Sequence, residues 1–277
     1  MDITKPVVKK LSPPRPDWSH KGECGRLLVI GGNKSYTGSP ALVALAAIKS
    51  GTDWVDIFSP KRPADIAASF SPDMITHPQR GDFLNSWHLQ EAFYLEKRCS
   101  AVVIGNGLGR RKETEIFITE FLKKAEKPCV IDADAIQAVA KKEFLIKESF
   151  VLTPHSYEFF ILTDTQPTAN IGERVEIVEK FAKKLGCTIL LKGHVDVISD
   201  GKKTALNKTG SPQMAKAGTG DTLAGICGAL LARGAAPFEA ACAAAWINGS
   251  AGELATKEFG ESLMAQNIIE NIHKVLK

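Results

Sequence analysis

No two of the six cysteines (Cys24, Cys99, Cys129, Cys187, Cys227, Cys242) stand at C-x-x-C spacing, and several lie inside apolar runs. That excludes the usual signature of a zinc site or a disulfide framework and favours buried free thiols. The N-terminus, Met-Asp-Ile-Thr-Lys, has no apolar signal core. Uninterrupted apolar stretches of the roughly 20 residues that cross a bilayer are missing too; the Ala-rich segments near 221–232 and 237–247 come nearest, and both contain polar breaks. The 35 Lys and Arg against 31 Asp and Glu leave a net charge of only +4, scattered rather than gathered into a nucleic-acid patch. Neither a Ser-His-Asp order nor H-E-x-x-H occurs, and neither the P-loop nor G-x-G-x-x-G is present. These absences leave a cytoplasmic protein with small-molecule chemistry, no membrane and no nucleic acid. The mild positive excess suits an anionic or phosphorylated ligand.

What is present is a regular alternation. Residues 1–22 hold Pro6, Pro13, Pro14 and Pro16 among charges without periodicity, and read as an arm before a single domain over 23–277. Apolar runs at 26–30, 54–58, 101–104, 129–131, 150–152, 188–191 and 195–198 have the look of buried strands. Helical patterns fill 40–49, 113–126, 134–142, 170–185, 221–233, 237–257 and 265–276. Such alternation implies an α/β fold, a mostly parallel sheet covered on both faces. In sheets of that kind ligands lie beyond the carboxyl ends of the strands. Those ends read Gly31-Gly32-Asn33, Gly105-Asn106-Gly107-Leu108-Gly109, Asp132-Ala133-Asp134, Thr153-Pro154-His155 with Glu158, and Lys192-Gly193.

The segment Ala217-Gly218-Thr219-Gly220-Asp221-Thr222, opening an apolar helix, is the sharpest chemical signal. Two glycines around a threonine let backbone amides converge, and the helix end adds unpaired N–H groups and positive dipole. Asp221 there would sit beside a transferring phosphate, placed to take a proton from an attacking hydroxyl. Taken alone it could equally cap the helix. Asp132, Asp134 and Glu158 are candidates to hold Mg²⁺ through water, or to cap and face solvent. Lys192 could meet a phosphate or be solvated, and His155 faces the presumed crevice.

Together these segments resemble the NAD(P)H-hydrate dehydratases of the ribokinase-like superfamily, from about His20 to Ala255. The likeness runs through His20 to Arg26, Thr37-Gly38-Ser39, Gly105 to Gly109, Asp132 to Ala135, Thr153-Pro154-His155 with Glu158, Leu190 to Gly193, Asn207 with Thr209-Gly210, and Ala217 to Gly225. The resemblance implies a ribokinase-like three-layer α/β/α sandwich. It implies an enzyme that phosphorylates the ring hydroxyl of the S-epimer of NADH or NADPH hydrate, with ADP (giving AMP) or ATP, and then eliminates phosphate. Asp221 would be the base, and amides of Gly218, Thr219 and Gly220 would stabilise the moving phosphoryl group. Ser39, Gly107, His155 and Asp221 would line the hydrate site. Lys192, Gly193, His194, Val195, Asp196, Asn207 and Gly220 would hold the nucleotide, with Glu158 positioning Mg²⁺. A homotetramer is implied, and, since so little precedes the match, an epimerase on another chain. Three departures from the family pattern are His194-Val195-Asp196, Ser211-Pro212-Gln213 and Ser39-Pro40. The alternatives are a small-molecule kinase of the same superfamily (thiazole, hydroxymethylpyrimidine or pyridoxal kinase), from which Thr153-Pro154-His155 and the entry Lys21-Gly22-Glu23-Cys24-Gly25 are the discriminating features, and a nucleotide-binding regulator without catalysis.

Overall fold

The computed structural model describes residues 2–11, 15 and 17–277, with Val7, Lys10 and Leu11 described in backbone only. Its core is one nine-stranded sheet: β1 (Arg26–Ile30), β2 (Trp54–Pro60), β3 (Met74–Gln79), β4 (Ala101–Ile104), β5 (Cys129–Ile131), β6 (Phe150–Leu152), β7 (Thr188–Leu191), β8 (Asp196–Ser199) and β9 (Thr204–Asn207). The order is β3-β2-β1-β4-β5-β6-β7-β8-β9. Pairing is parallel from β3 through to β7, and β7-β8 and β8-β9 are antiparallel.

The strands are apolar on both sides because both sides are covered. Successive residues point to opposite faces, so Leu27, Val29, Ala101, Val103 and Leu190 enter one core while Leu28, Ile30, Val102, Ile104 and Leu191 enter the other. The first core is closed mainly by α2 (Ser39–Lys49), with α3 (Lys61–Phe70) beside it, and later by α9 (Thr219–Ala232), α10 (Pro237–Phe259) and α11 (Ala265–Leu276). The second is closed by α4 (Leu89–Glu96), α5 (Lys112–Lys124), α6 (Asp134–Val139), α7 (Ser156–Thr163) and α8 (Ile171–Leu185). This is the expected three-layer α/β/α sandwich.

Every anticipated strand forms. β3 and β9, which the apolar pattern does not mark, are the two edges, where one side lacks a strand neighbour and the apolar signal thins; β3 even holds Pro78, tolerable only at an edge. In α3 Pro63 sits in the first turn, where a missing N–H costs nothing. α4 and α7 are short, and α7 begins directly after His155, in what reads as the loop after β6. The helix expected over 134–142 stops at Val139, followed by Lys141 in the left-handed region at φ 61°. The N-terminal arm is more ordered than its prolines suggest: α1 (Lys5–Leu11) lies against α10, Ile3 and Val8 are buried, and the Ile3 N–H donates to the Leu206 carbonyl at 3.1 Å. Pro13, Pro14 and Pro16 lie outside the described residues.

Five of the cysteines are buried free thiols, and Cys24 is half-buried. Burial pushes the thiols of Cys99, Cys187 and Cys242 up to about 12. Among the described residues no helix is long and apolar enough to cross a membrane.

The chain leaves β1 toward β2 on one side and returns to β4 on the other, so the β1–β4 boundary is the topological switch point where α/β sheets open a crevice. The turns there are tied together, Gly32 N–H donating to the Asn106 carbonyl at 2.9 Å. Helix α9 runs beneath this point against α2 and β4. Its approach requires a residue without Cβ at Gly225, where a methyl would run into the backbone carbonyl of Val43 and come 3.0 Å from Ala46 Cβ.

Candidate active site

Helix α9 begins at the crevice because Gly218 takes φ 94°, a left-handed conformation open to glycine, and turns the preceding loop into the helix. The first bond of the helix runs from Thr222 N–H to the Gly218 carbonyl at 3.1 Å. The N–H groups of Gly220 and Asp221 precede it and have no acceptor within the helix. Thr219 uses its hydroxyl to anchor the loop, with the Met214 and Lys216 carbonyls 2.9 and 3.0 Å away. Beneath it, Asn248 of α10 donates to the Thr219 carbonyl at 3.3 Å, while the Thr222 hydroxyl lies 2.7 Å from Asn248 Oδ1. The helix end is thus a braced cradle of N–H groups with positive potential.

Asp221 points from this cradle to the switch point. Its Oδ1 accepts from Asn106 Nδ2 at 2.7 Å. Burial, reinforced by Asp132 nearby, pushes its carboxyl up to about 6, against the pull of hydrogen bonds from Asn106 and Ser39 and of the Lys192 charge. It does not act as a side-chain cap of its helix.

Asn106, fully buried, also donates to Asp132 Oδ2 at 2.8 Å. Asp132 Oδ1 accepts from the Thr153 hydroxyl at 2.7 Å and from Lys192 Nζ at 3.0 Å. Lys192 Nζ is 3.9 Å from Glu158 Oε2, which accepts the His155 N–H at 2.9 Å. One chain of contacts therefore joins the ends of β4, β5, β6 and β7 to α9. Burial works against the Lys192 ammonium, but Asp132, Glu158 and Asp221 outweigh it and hold its pKa above the ordinary lysine value. Burial in turn raises the carboxyl of Glu158.

Asp132 and Asp134, alike in sequence, part company at Ala133, whose φ of 50° and ψ of −122° turn the chain between them. Asp132 faces inward to Lys192, whereas Asp134 accepts the Gly109 N–H at 2.8 Å and pairs with Arg110 at 3.3 Å. Among the described residues no three acidic, His or Cys side chains gather as a metal cage.

Lys192, Gly193, His194, Asp196, Thr219, Gly220 and His155 line a cleft of about 700 Å³ roofed by the 209–217 loop. Lys192 Nζ lies 3.4 Å from the point where a Cβ at Gly220 would sit. Asp196 braces the cleft floor, accepting from Gly193 N–H and Asn207 Nδ2, both at 2.9 Å, and burial pushes its carboxyl up to about 6. Asn207 is buried below, its amide also within 3.2 Å of the Ala245 carbonyl, and Val195 is half-buried beside Gly193. Ser39 and Gly107 meet on the other side of Asp221: a Cβ on Gly107 would be 3.2 Å from Ser39 Oγ. His155 belongs to the larger cleft, its Nδ1 accepting the Tyr157 and Glu158 N–H groups at 3.2 and 3.3 Å as the cap of α7. The departing segment Ser211-Pro212 is part of the cleft roof.

Four contributors are not marked by the sequence pattern. Asn106 and Thr153 stand inside quoted strand ends, but nothing marks them as clamps on Asp132. Asn248 is a lone amide on an Ala-rich helix, and Arg174 a charge on the buried stripe that continues through Val178 and Leu185. Arg174 donates to the Lys192 carbonyl at 3.2 Å and so fixes the strand end. A polar residue at an apolar position was the signal available in both.

A family model described as NAD(P)H-hydrate dehydratase matches residues 27–274. A bifunctional NAD(P)H-hydrate repair enzyme of Pyrobaculum aerophilum is 41% identical over 94% of this chain and 52% of its own length. The chain spans about half the length of the bifunctional relatives it matches. The ADP-dependent (S)-NAD(P)H-hydrate dehydratase of Nitrosopumilus maritimus is 35% identical over 99% of this chain and 96% of its own. Among solved structures, the ADP/ATP-dependent NAD(P)H-hydrate dehydratase of Bacillus subtilis, co-crystallised with ATP and Mg²⁺, superposes with a TM-score of 0.83 at 26% identity, covering 99% of this chain and 98% of that one. With the cradle at Gly218–Asp221, the Asn106–Asp132–Lys192 network and these full-length likenesses in agreement, the chain belongs to the NAD(P)H-hydrate dehydratase family.

Proposed function

We propose that this protein restores NADH and NADPH from the S-epimer of their hydrates, using ADP or ATP as phosphoryl donor. The observation that carries the proposal is the Asp221 carboxyl, held near pKa 6 at the N-terminus of α9 between a nucleotide-sized cleft and the Ser39–Gly107 corner. A carboxylate with that pKa is ionised at neutral pH yet basic enough to accept a proton in the transition state.

In this reading the nucleotide occupies the 700 Å³ cleft, with Lys192, Gly193, His194 and the 209–217 loop about it. Val195, Asp196 and Asn207 support that wall from beneath. The hydrate places its ring hydroxyl by Ser39, Gly107 and Asp221, with His155 reaching in from the cleft side. Asp221 takes the hydroxyl proton as the oxygen attacks the terminal phosphorus of the donor, whose bridging oxygen leaves on AMP when ADP is used. Amides of Gly218 and Gly220 face the negative charge that builds on the phosphoryl oxygens, while the Thr219 N–H, expected to join them, donates to the Lys216 carbonyl at 3.4 Å. The phosphate ester then leaves with its C–O electron pair while the neighbouring ring carbon gives up a proton, restoring the double bond. Phosphorylation matters because hydroxide is a poor leaving group and phosphate a good one.

Glu158, whose carboxylate accepts the His155 N–H, is the residue that would help hold a Mg²⁺ ion brought by the nucleotide. Such an ion would supply charge neutralisation for the phosphates. The names of the archaeal relatives support ADP as donor. We place the protein in the cytoplasm as a homotetramer working with an NAD(P)H-hydrate epimerase, and the bifunctional names of the longer relatives support a second repair activity beside this one.

The test is to incubate the protein with NADH hydrate, Mg²⁺ and either ADP or ATP, and to follow the absorbance band of the reduced nicotinamide. Recovery with at least one donor is expected. Recovery with neither removes this function. Accumulation of a stable phosphorylated product from an alcohol substrate would instead favour a kinase.

A further inference from the structure

A second cavity lies on the Tyr36 side of the acceptor corner, and the function above uses only the larger cleft beside Gly220. The smaller, about 220 Å³, opens at the carboxyl ends of β1 and β4 and is framed by Lys34, Tyr36, Phe83, Arg110 and Arg111. It adjoins the acceptor corner. A Cβ on Gly107 would lie 2.8 Å from Tyr36 Cβ and 3.2 Å from Ser39 Oγ, and Ser39 hydrogen-bonds Asp221. A molecule reacting at Asp221 and longer than its ring can continue past Tyr36 into this space.

The cavity is rich in cations whose hydrogen-bonding groups are not fully engaged. Arg110 reaches Asp134 through Nε alone, at 3.3 Å, so its two terminal nitrogens remain outside that pair. Arg111 lies over the Phe83 ring at 4.5 Å, and among the described residues it has no carboxylate within ion-pair distance. Lys34 pairs with Asp82 at 3.0 Å, but both side chains are more than half exposed, so the pair is weak. Arg62 donates to the Lys34 carbonyl at 2.8 Å and adds a fourth cation at the rim. Guanidinium forks match phosphate oxygens in pairs, and the faces of Tyr36 and Phe83 offer apolar surface to a sugar or base. The volume is too small for a whole dinucleotide and suits a phosphorylated ribose.

We propose that this pocket binds the phosphorylated ribose of the adenylyl half of the acceptor dinucleotide, with Arg110 and Arg111 as its anion-reading residues. This rests on the acceptor being a nicotinamide dinucleotide hydrate. Binding here is remote from the ring hydroxyl and equal in ground and transition states, so it acts on KM rather than kcat.

The experiment compares wild type, Arg110→Ala, Arg111→Gln and Arg110→Lys on NADH hydrate, NADPH hydrate and the hydrate of reduced nicotinamide mononucleotide, which lacks the adenylyl half. Loss of either arginine is expected to raise KM for both dinucleotide hydrates by roughly tenfold, with kcat and the KM for ADP nearly unchanged. Arg110→Lys should recover part of the loss. The mononucleotide hydrate should be turned over equally by wild type and variants. The Kd of intact NADPH, read from its fluorescence, should rise in parallel with KM. Arg110 is 65% exposed at its side chain, so its removal leaves the fold intact. Unchanged KM and Kd in both arginine variants overturn the assignment, as does an equal loss on the mononucleotide. A wild type that binds NADPH through these arginines but never turns over a hydrate would retire the dehydration proposal and keep the pocket.

Discussion

Replacing Asp221 by Asn should make the protein less active and more stable at once. The carboxyl is displaced from the ordinary 3.8 to about 6, chiefly because burial disfavours its charge. That displacement corresponds to about 3 kcal/mol between the ionised and neutral forms in the folded protein. The sign follows from linkage: between pH 3.8 and about 6 the folded state holds a proton that the unfolded chain has released, so stability falls as pH rises through that window and stays low above it. Asparagine approximates the neutral acid. At pH 8 the variant is therefore expected to exceed wild type by up to about 3 kcal/mol, and at pH 5 by about half as much, because wild type has recovered most of its proton there. Urea unfolding of both proteins at the two pH values measures this difference directly, and other titrating groups largely cancel in the comparison. Dehydration should fall roughly a thousandfold or more, since the variant cannot accept the proton and its amide repels the incoming hydroxyl hydrogen. ADP binding should persist. A variant less stable than wild type at pH 8 would refute the account of a destabilised carboxylate, and near-normal turnover would remove Asp221 from the role of base.

Other perturbations test the surrounding network. Asn106→Ala removes a donor that lowers the Asp221 pKa, so the acid limb of the kcat/KM profile should move to higher pH, with the plateau reduced roughly ten- to a hundredfold. Lys192→Met leaves the buried Asp132 and Glu158 without their cation and should cost about 3 kcal/mol or more, with a smaller loss at pH 5 than at pH 8 by urea unfolding. Ala133→Gly relieves a backbone conformation that alanine adopts with strain and should raise stability by about 1 kcal/mol without changing the acid limb. Gly225→Ala forces α9 from α2 and should lower stability by roughly 1–3 kcal/mol, seen as a lower thermal midpoint.

The strands that could be read from sequence were those whose both faces are buried. Ala101–Ile104 and Ile189–Leu191 are apolar without interruption because a core lies on each side. At the sheet edges that signal fades, and β3 with its His77 and Pro78 looks like loop. Helix α7 was hidden for a different reason: its cap is a histidine ring nitrogen rather than the usual Ser, Thr, Asp or Asn, so the chain after Pro154 gave no familiar start signal. The cradle at Gly218–Asp221 was visible because it is local, four adjacent residues before a helix. The Asn106–Asp132–Lys192 network was not, because its members are 26 and 60 residues apart and meet only through the parallel register of β4 to β7. The likeness between Asp132 and Asp134 even pointed the wrong way, since the turn at Ala133 sends them to opposite tasks.

That network bears on how one site can serve a phosphoryl donor and an acceptor whose product must be released unphosphorylated. In the proposed function Lys192, which bonds Asp132, faces the donor; Asn106 bonds both Asp132 and Asp221; and Ser39 and Gly107 are the corner proposed for the acceptor. A single buried amide thus stands between the charge state of the nucleotide wall and the base. The anion cradle alone is common to a kinase and a dehydratase, because both need only a base, aligned N–H groups and a donor. What separates them is whether the phosphorylated carbon can expel its new leaving group, a property of the acceptor ring rather than of α9. The decision therefore rests on the acceptor side of Asp221, where the Ser39–Gly107 corner adjoins Tyr36 and, beyond it, the pocket framed by Arg110 and Arg111. A small alcohol would leave that extension empty, whereas a dinucleotide hydrate fills it, so dependence of KM on the two arginines separates the two acceptor classes as well as locating the adenylyl half.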